Sequence, residues 1–258
     1  MKEITHINLM NFDETLVTQE MLVDFPHRWI DVHDIPSTQG YCTFDSLEEI
    51  RKRLADIDVH SITYIGNGNY HYVTYLLLEK IKEPFSLVLF DHHTDAMAND
   101  IPGVISCGSW VSYSLDHLPY LQRVVIVGAR SQPLYSERVM LIAEEELMNL
   151  SMRAVQERIE QFIEGPIYVS VDKDVLYDKA AATNWDQGSM GLLQLLNLLR
   201  KLDSRIEVLG MDICGEWPTL QYPFLDKETY DKIRKNERVN RAILDSLQIN
   251  NSHHSIPQ

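Results

Sequence analysis

The chain has 258 residues, of which 45% are hydrophobic and 24% are charged, and its formal net charge is −15. This length and composition predict a single globular domain, residues 1–258, with a well-buried core. Nucleic-acid and anionic-membrane surfaces reward clustered Lys and Arg, so the negative charge argues against either partner.

Apolar runs of strand length recur along the chain, at residues 61–65, 85–90, 123–127, 167–171 and 206–211. Segments of helical character lie between and after them, at residues 70–82, 152–163, 190–202 and 226–247. Strands rich in Val, Ile and Leu that alternate with helices are typical of a parallel sheet covered on both faces. The sequence therefore predicts an α/β fold with three α/β/α layers and a mainly parallel central sheet.

Polar residues follow four of these runs. The string DHHTD follows 85–90, Asp172 and Asp174 follow 167–171, Asp212 and Glu216 follow 206–211, and GNGNYH, ending in His71, follows 61–65. Open parallel sheets bind their ligands just beyond the carboxyl ends of the strands. We therefore expect these polar side chains to converge at one edge of the sheet.

The spacing of the acidic residues indicates a metal site. Asp91, His93 and Asp95 occupy alternate positions, as do Asp172 and Asp174, so in extended chain each set projects to one side. Gathering such groups without a cation is costly, because clustered carboxylates repel one another. A carboxylate-rich set with imidazoles suits Mn²⁺, with Mg²⁺, Fe²⁺ and Zn²⁺ as further options.

With His71 included, four carboxylates and two imidazoles are too many ligands for one ion, and we infer two divalent ions. Two ions about 3.5–4 Å apart share a bridging water and lower its pKa toward neutrality. On the same alternation His92 points away from the neighbouring Asp91 and His93, so it is assigned to a supporting or packing position.

In the order of its motifs the chain resembles the ureohydrolases, the family of arginase, agmatinase and formiminoglutamase. GNGNYH (66–71) stands where that family has GGDH, DHHTD (91–95) where it has DAHxD, and SVDKD (170–174) where it has SxDxD. VGARS (127–131) looks like the family's GIRS strand end, and MDICGEWP (211–218) looks like the segment with the guanidinium-contacting glutamate. The resemblance covers residues 66–218 and implies an arginase-like fold.

The resemblance also implies roles for individual residues. One ion would have four ligands, and the second would share two of them: His71, Asp91, Asp95 and Asp172 for the first, and Asp91, His93, Asp172 and Asp174 for the second. Asp91 or Asp174 would hydrogen-bond the bridging hydroxide, and Glu216 would orient the cationic C–N group of a small substrate. The implied reaction is hydrolysis of a guanidine, amidine or formimino C–N bond, and a homo-oligomer is possible.

Two departures from the family pattern concern the rim of the site. The glycine-rich loop after SxDxD is replaced by Asp178, Lys179 and TNWDQG (183–188). Cys107-Gly108 stands where arginase and agmatinase have a His-Gly pair whose histidine shuttles protons. Arginine is therefore not the expected substrate, and Cys107 is either a small buried residue or part of the substrate site.

Three other functions remain open at this point. LVLFDHH (87–93) also resembles the DHH phosphoesterases, although no early HxDxD-type element precedes it and only Arg130 and Lys173 are nearby to bind phosphate. A metal-binding protein with an arginase-like fold and no catalysis is a second alternative. An amide hydrolase like the related deacetylases is a third, and it would need a narrow apolar tube with tandem histidines.

The compartment is predicted from what the chain lacks. No apolar run is long enough to span a bilayer, and the first residues lack the apolar region of a signal peptide. The three cysteines are widely spaced and odd in number. A reducing, cytoplasmic location is expected.

Overall fold

The computed structural model describes residues 6–98, 101–134, 136–219 and 226–247, and these contain ten strands. The strands are β1 (Ile7–Asn11), β2 (His27–Asp31), β3 (Tyr41–Thr43), β4 (Ile62–Tyr64), β5 (Phe85–Phe90), β6 (Val104–Ser106), β7 (Leu121–Val127), β8 (Val139–Ile142), β9 (Ile167–Asp172) and β10 (Val208–Cys214). Eight form one sheet, while β3 and β6 form a separate antiparallel pair.

The main sheet has the order β2-β1-β4-β10-β9-β5-β7-β8, and every neighbouring pair in it is parallel. Strand β9 lies near the centre, where Val169 is in register with Met211 of β10 and with Val88 of β5. The predicted parallel central sheet is thus confirmed. Because the strands are parallel, all eight carboxyl ends open on the same edge.

The helices are α1 (Glu20–Asp24), α2 (Phe44–Arg53), α3 (Val73–Leu78), α4 (Trp110–His117), α5 (Glu144–Leu147), α6 (Met152–Phe162), α7 (Leu192–Arg205) and α8 (Lys227–Ser246). The helices predicted at 152–163, 190–202 and 226–247 are found as α6, α7 and α8. Two of them begin at side-chain caps: Ser151 accepts from the Ala154 N–H and Asp226 from the Glu228 N–H. Among the described residues, no helix has the length and apolar character needed to cross a membrane.

Hydrophobic residues pack on both faces of the sheet and give the three predicted layers. On one face Val88 and Val169 pack in a cluster with apolar side chains of α6, α7 and α8. On the other face Leu87 and Tyr168, their neighbours in sequence, pack in a cluster with side chains of α2, α3 and α4. Alternate residues of a strand point to opposite faces, so a strand that is apolar throughout supplies both clusters.

Several elements differ from the sequence prediction. The predicted helix 70–82 is only the short α3, preceded by a single 3₁₀ turn at Gly68–Tyr70. Strand β10 does not end at residue 211 but continues to Cys214, so Asp212 lies inside the strand rather than beyond its end. The N-terminal segment, which has no predicted element, contributes β1 and β2 at the sheet edge and the small strand β3.

Strand β10 depends on a glycine where it passes the connection that leads into β4. A Cβ at Gly210 would lie 1.9 Å from the Val59 carbonyl oxygen and 3.1 Å from the Tyr168 ring. Backbone at that distance cannot yield as a flexible side chain can, so Gly210→Ala should lower the free energy of unfolding by about 2 kcal/mol in urea denaturation. Gly108→Ala is the control, because its Cβ would meet only the Met97 sulfur, at 3.4 Å. Equal stability of the two variants would contradict the prediction.

Candidate metal centre

The polar side chains that follow the central strands meet at the carboxyl edge of the sheet. Asp91 comes directly after β5, and Asp172 is the last residue of the neighbouring β9. Gly215, just past β10, has φ +81°, and a Cβ there would lie 2.3 Å from Asp172 Oδ1. A glycine at this position therefore leaves room for the Asp172 carboxylate at the edge.

The segment DHHTD is a tight turn and not the extended chain that the alternation argument assumed. The Asp91 Oδ1 atom accepts a hydrogen bond from the backbone N–H of His93 at 2.6 Å. Asp95 has φ +50°, the left-handed conformation that Asp tolerates better than most residues. The turn brings the three side chains together, so their convergence was predicted correctly but its geometry was not.

The segment SVDKD also turns. Asp172 accepts a hydrogen bond from the Asp174 N–H at 2.9 Å, which begins the 3₁₀ turn Lys173–Val175. Asp174 in turn accepts from the backbone N–H of His92 at 3.0 Å. The two motifs are thus joined directly.

Two groups of ligand-type atoms result, and Asp91 belongs to both. In the first, His71 Nδ1 lies 3.3 Å from Asp91 Oδ2 and 3.0 Å from Asp95 Oδ2. Asp172 Oδ2 lies 3.7 Å from the same nitrogen.

In the second group, His93 Nδ1 lies 2.9 Å from Asp174 Oδ2 and 3.6 Å from Asp91 Oδ1. The structure therefore brings together all six residues named from the sequence as candidate ligands: His71, Asp91, His93, Asp95, Asp172 and Asp174.

Cys214 is a neighbour that sequence reasoning missed. Its thiol donates to Asp172 Oδ2 at 3.1 Å, and with His71 and Asp172 it forms a third group of ligand-type atoms. Burial, followed by the charge of Asp172, raises the pKa of the Cys214 thiol well above its usual value. The thiol stays protonated and acts as a hydrogen-bond donor to the carboxylate.

The electrostatics of the cluster are those of crowded, buried anions. Burial raises the pKa of Asp91, Asp172 and Asp174, with a further rise from a neighbouring carboxylate in each case, and Asp174 reaches about 7. Burial opposes protonation of His93, but hydrogen bonds to Asp174 and Asp91 outweigh it and raise its pKa to about 12. Protons thus offset the repulsion that a cation would otherwise relieve.

The donor set fits divalent cations. The buried Asp91 Oδ2 atom has no hydrogen-bond partner, although it faces both His71 and the rest of the first group. Carboxylate oxygens with two imidazoles suit Mn²⁺ and similar ions, and a carboxylate shared by two groups suits a bridged pair.

Buried hydrogen bonds hold the first group in place. His71 Nε2 lies 2.9 Å from Ser170 Oγ, and that hydroxyl donates to Asp212 Oδ1 at 2.7 Å. The Trp110 indole donates to Asp95 Oδ2 at 2.7 Å. Because the Ser170 hydroxyl gives its one hydrogen to Asp212, it accepts from the Nε2–H of His71, and Nδ1 of His71 stays directed at the carboxylates.

Glu216 does not lie where a substrate-orienting residue must be. It is 1% exposed and forms an ion pair with Lys173, which is 0% exposed. The Asn240 amide donates to Glu216 at 2.7 Å and the Asn236 amide at 3.1 Å. Gln19 donates to it at 3.2 Å.

The expected substrate role of Glu216 is therefore corrected. Its carboxylate lies behind the candidate ligands, where it pairs with Lys173 and accepts hydrogen bonds from Asn236 and Asn240 of α8. The sequence does hold a signal for this pair: Lys173 separates two buried acids at the end of a buried strand, so its side chain needs an anionic partner.

A cleft of about 600 Å³ opens over the ligand cluster. Large apolar side chains stand exposed at its mouth: Tyr41, Met97, Ile101 and Trp185. Cys107 lines the cleft, and burial followed by the charge of Asp95 raises the pKa of its thiol to about 12. The thiol therefore stays neutral and does not replace an imidazole as a base.

Outside the ligand cluster, the positive and negative charges of the cleft lining cancel. Among the described residues of the lining these are Arg130 and Asp186, joined at 3.0 Å. His92, assigned from sequence to a supporting or packing position, is 2% exposed yet lines the cleft, and neither ring nitrogen has a hydrogen-bond partner. Burial lowers the pKa of His92, so its ring is neutral at pH 7.

Comparison with known proteins agrees with this arrangement. Residues 8–223 match the arginase family. An uncharacterised protein of Thermotoga maritima is 34% identical over 193 residues, covering 75% of this chain and 70% of that protein.

Similar solved structures include the proclavaminate amidino hydrolase of Streptomyces clavuligerus (TM-score 0.71, 16% identity, 97% of this chain and 92% of that one). Another is the formimidoylglutamase of Bacillus subtilis (TM-score 0.69, 15% identity, 96% and 88%). The formiminoglutamase of Trypanosoma cruzi, solved with Mn²⁺, has a TM-score of 0.69 at 10% identity and covers 95% and 94%. At these identities the likeness shows the fold alone.

The Lys173–Glu216 pair should show strong and asymmetric coupling. Glu216→Gln leaves a buried ammonium without a counter-charge and should cost about 3–5 kcal/mol of unfolding free energy. Lys173→Met should cost less, because three amide groups still donate to the carboxylate. The double variant should recover much of the loss of Glu216→Gln in urea denaturation, whereas additive losses would show that the pair is not coupled.

Asp212 should make stability depend on pH. Burial raises its pKa from an ordinary value near 3.8 to about 6, so its contribution to stability is present below about pH 4 and is lost as the pH rises through about 6. Relative to Asp212→Asn, the metal-free protein should lose about 3 kcal/mol of unfolding free energy over this window. Urea denaturation with chelator at several pH values measures this. Asp178→Asn, at an exposed position, is the control, and a flat difference for Asp212→Asn would refute the prediction.

Proposed function

Because the chain belongs to the arginase family, we propose that it is a hydrolase that uses two divalent ions, preferably Mn²⁺, to cleave a non-peptide C–N bond. The substrate class is a guanidino, amidine or formimino compound. The observation that carries this proposal is the pair of carboxylate–imidazole groups that share Asp91 at the bottom of an open cleft.

The ligand assignment takes the two groups that share Asp91 and adds Asp172 to each, as the family resemblance implies. One ion would be held by His71, Asp91, Asp95 and Asp172, and the other by Asp91, His93, Asp172 and Asp174. The chemistry that such a pair of ions supplies is a water of lowered pKa and a polarised C–N carbon.

The residues of the chain would bind and orient the attacking water and the substrate. Asp91 and Asp174 lie on the cleft side of the cluster, where either carboxylate can accept a hydrogen bond from the attacking water and orient it. Attack of this water on the amidine-type carbon, with a proton passing to that carboxylate, would give a tetrahedral intermediate. Its collapse would break the C–N bond, and the same proton would pass to the leaving nitrogen, which departs as the amine. The neutral thiol of Cys107 faces the same space, and we assign it to shaping the substrate site.

The cleft favours a substrate with a cationic head and an apolar body. The head would lie against the carboxylate cluster. The body would contact the apolar mouth formed by Tyr41, Met97, Ile101 and Trp185, where charged groups balance. Such a mouth is poorly matched to the charged amino-acid end of arginine.

The side chains of the cleft argue against one of the two main rival functions but not against the other. A DHH-type phosphoesterase is disfavoured because Lys173 is buried away from the cleft and Arg130 is paired with Asp186. A metal-binding protein without catalysis shares the ligand cluster, and it would bind two ions yet release no product. Turnover therefore separates this second rival from the proposed hydrolase.

The three cysteines are free thiols, which fits a reducing compartment. We accordingly propose that the protein acts in the cytoplasm, and assembly into homo-oligomers stays a prediction.

Metal content tests the proposal. Elemental analysis after reconstitution with Mn²⁺ should find about two ions per chain in the wild type, as a bridged pair requires. Asp172→Ala, which removes a ligand of both, should lose them. Asp95→Asn is a second variant chosen to fold, because Asn also tolerates the left-handed backbone at this position. Asp95→Asn should weaken the binding of mainly one of the two ions.

Asp178→Ala, an exposed acid of the same connection, is the control and should keep both ions. The loaded wild type is then screened with guanidino and formimino compounds for release of urea, formamide or amine. Absence of metal in reconstituted wild type would overturn the proposed function, and two ions without any turnover would favour the non-catalytic rival.

A further inference from the structure

The loop 183–188, TNWDQG, folds over the second ligand group and is fixed at both ends. The Trp185 indole donates to Asn69 Oδ1 at 3.0 Å, and the Trp185 ring meets the His93 ring edge-on at 5.6 Å between centroids. At the far end, the Gly188 N–H donates to the Asp174 carbonyl at 2.7 Å. The loop is thus tied to the segments that carry the candidate ligands.

This loop places Asp186 on the outer nitrogen of His93. Asp186 Oδ1 lies 2.9 Å from His93 Nε2, while His93 Nδ1 lies 2.9 Å from Asp174 Oδ2. A carboxylate therefore faces each ring nitrogen of the same imidazole. Arg130 Nη2 lies 3.0 Å from the second oxygen of Asp186 and holds that carboxylate from the other side.

The geometry bears on which nitrogen of His93 is available to a cation. To bind a cation through Nδ1, a neutral imidazole must carry its hydrogen on Nε2. A carboxylate that accepts this N–H selects the required tautomer, fixes the ring plane and makes the ligand more basic.

We propose that Asp186 is a positioning residue, which accepts the Nε2–H of His93 and thereby directs Nδ1 toward the ion shared with Asp91 and Asp174. This inference rests on the two-ion site of the proposed function. The loop that replaces the family's glycine-rich segment then has a definite task, the orientation of one ligand. Asp186 is 53% exposed, so its removal should not prevent folding.

The test is calorimetric titration of the metal-free, full-length protein with Mn²⁺. Asp186→Ala should bind one of the two ions about 10–100-fold more weakly, the range found when such outer partners are removed, and the other ion with unchanged affinity. Asp186→Asn should lose less, because its amide oxygen can still accept from Nε2. Asp178→Ala removes the same charge at an exposed position of the same connection and should change neither affinity.

A second readout follows the ring itself. In protein labelled with ¹⁵N-histidine and loaded with Zn²⁺, long-range ¹H–¹⁵N spectra should show His93 protonated at Nε2. In Asp186→Ala the Nε2 proton should exchange faster with water. If Asp186 had only a structural role, Asp186→Ala would lower the thermal stability and reduce the affinity for both ions together. That result would overturn the positioning role.

The remaining outcomes are separable. Two ions bound by wild type and by Asp186→Ala with equal affinity, and an unchanged Nε2 proton, would overturn this inference and leave the proposed function intact. Fewer than two ions in the wild type would overturn both.

Discussion

The main constraint on the structure is electrostatic. Four buried carboxylates lie together at the carboxyl edge of two neighbouring strands, and bringing them together costs free energy. Asp91 follows β5 and Asp172 ends β9, and these strands are hydrogen-bonded at the centre of the sheet. The sheet geometry therefore forces the two acidic motifs against each other. Burial, and after it the repulsion between neighbouring carboxylates, raises the pKa of Asp91 and of Asp172, and a pair of divalent ions would relieve this cost.

Surrounding side chains hold three of the candidate ligands in position. Ser170 and Asp212 support His71, Trp110 supports Asp95, and Asp186 faces the outer nitrogen of His93. These contacts come from different strands and loops, so the ligand geometry is set by the whole carboxyl edge. The loop 183–188, which stands where the family has a glycine-rich segment, belongs to this arrangement.

The Lys173–Glu216 pair solves a different problem on the far side of the same turn. Lys173, between the two candidate ligands Asp172 and Asp174, cannot reach solvent, because the strand end and α8 enclose it. Its ammonium needs a buried anion, and Glu216 supplies one while amides satisfy the remaining lone pairs. Glu216 is thereby withdrawn from the cleft.

Local sequence was enough to determine the layered fold, the central strands and the six candidate ligands. Apolar runs of strand length ending in acids announce a parallel sheet with ligands at its edge, because strand direction dictates where side chains converge. Two N-terminal strands were not predicted. The edge strand β2 has a mostly exposed pattern that lacks the buried apolar run of the central strands, and in the buried β1 the asparagines at positions 8 and 11 interrupt the apolar residues. Only the tertiary structure decided which distant side chains contact one another. Asp186 is 93 residues from His93, and Glu216 is 43 from Lys173. No local pattern encodes such contacts, because they arise only when the turns and loops at the sheet edge have closed.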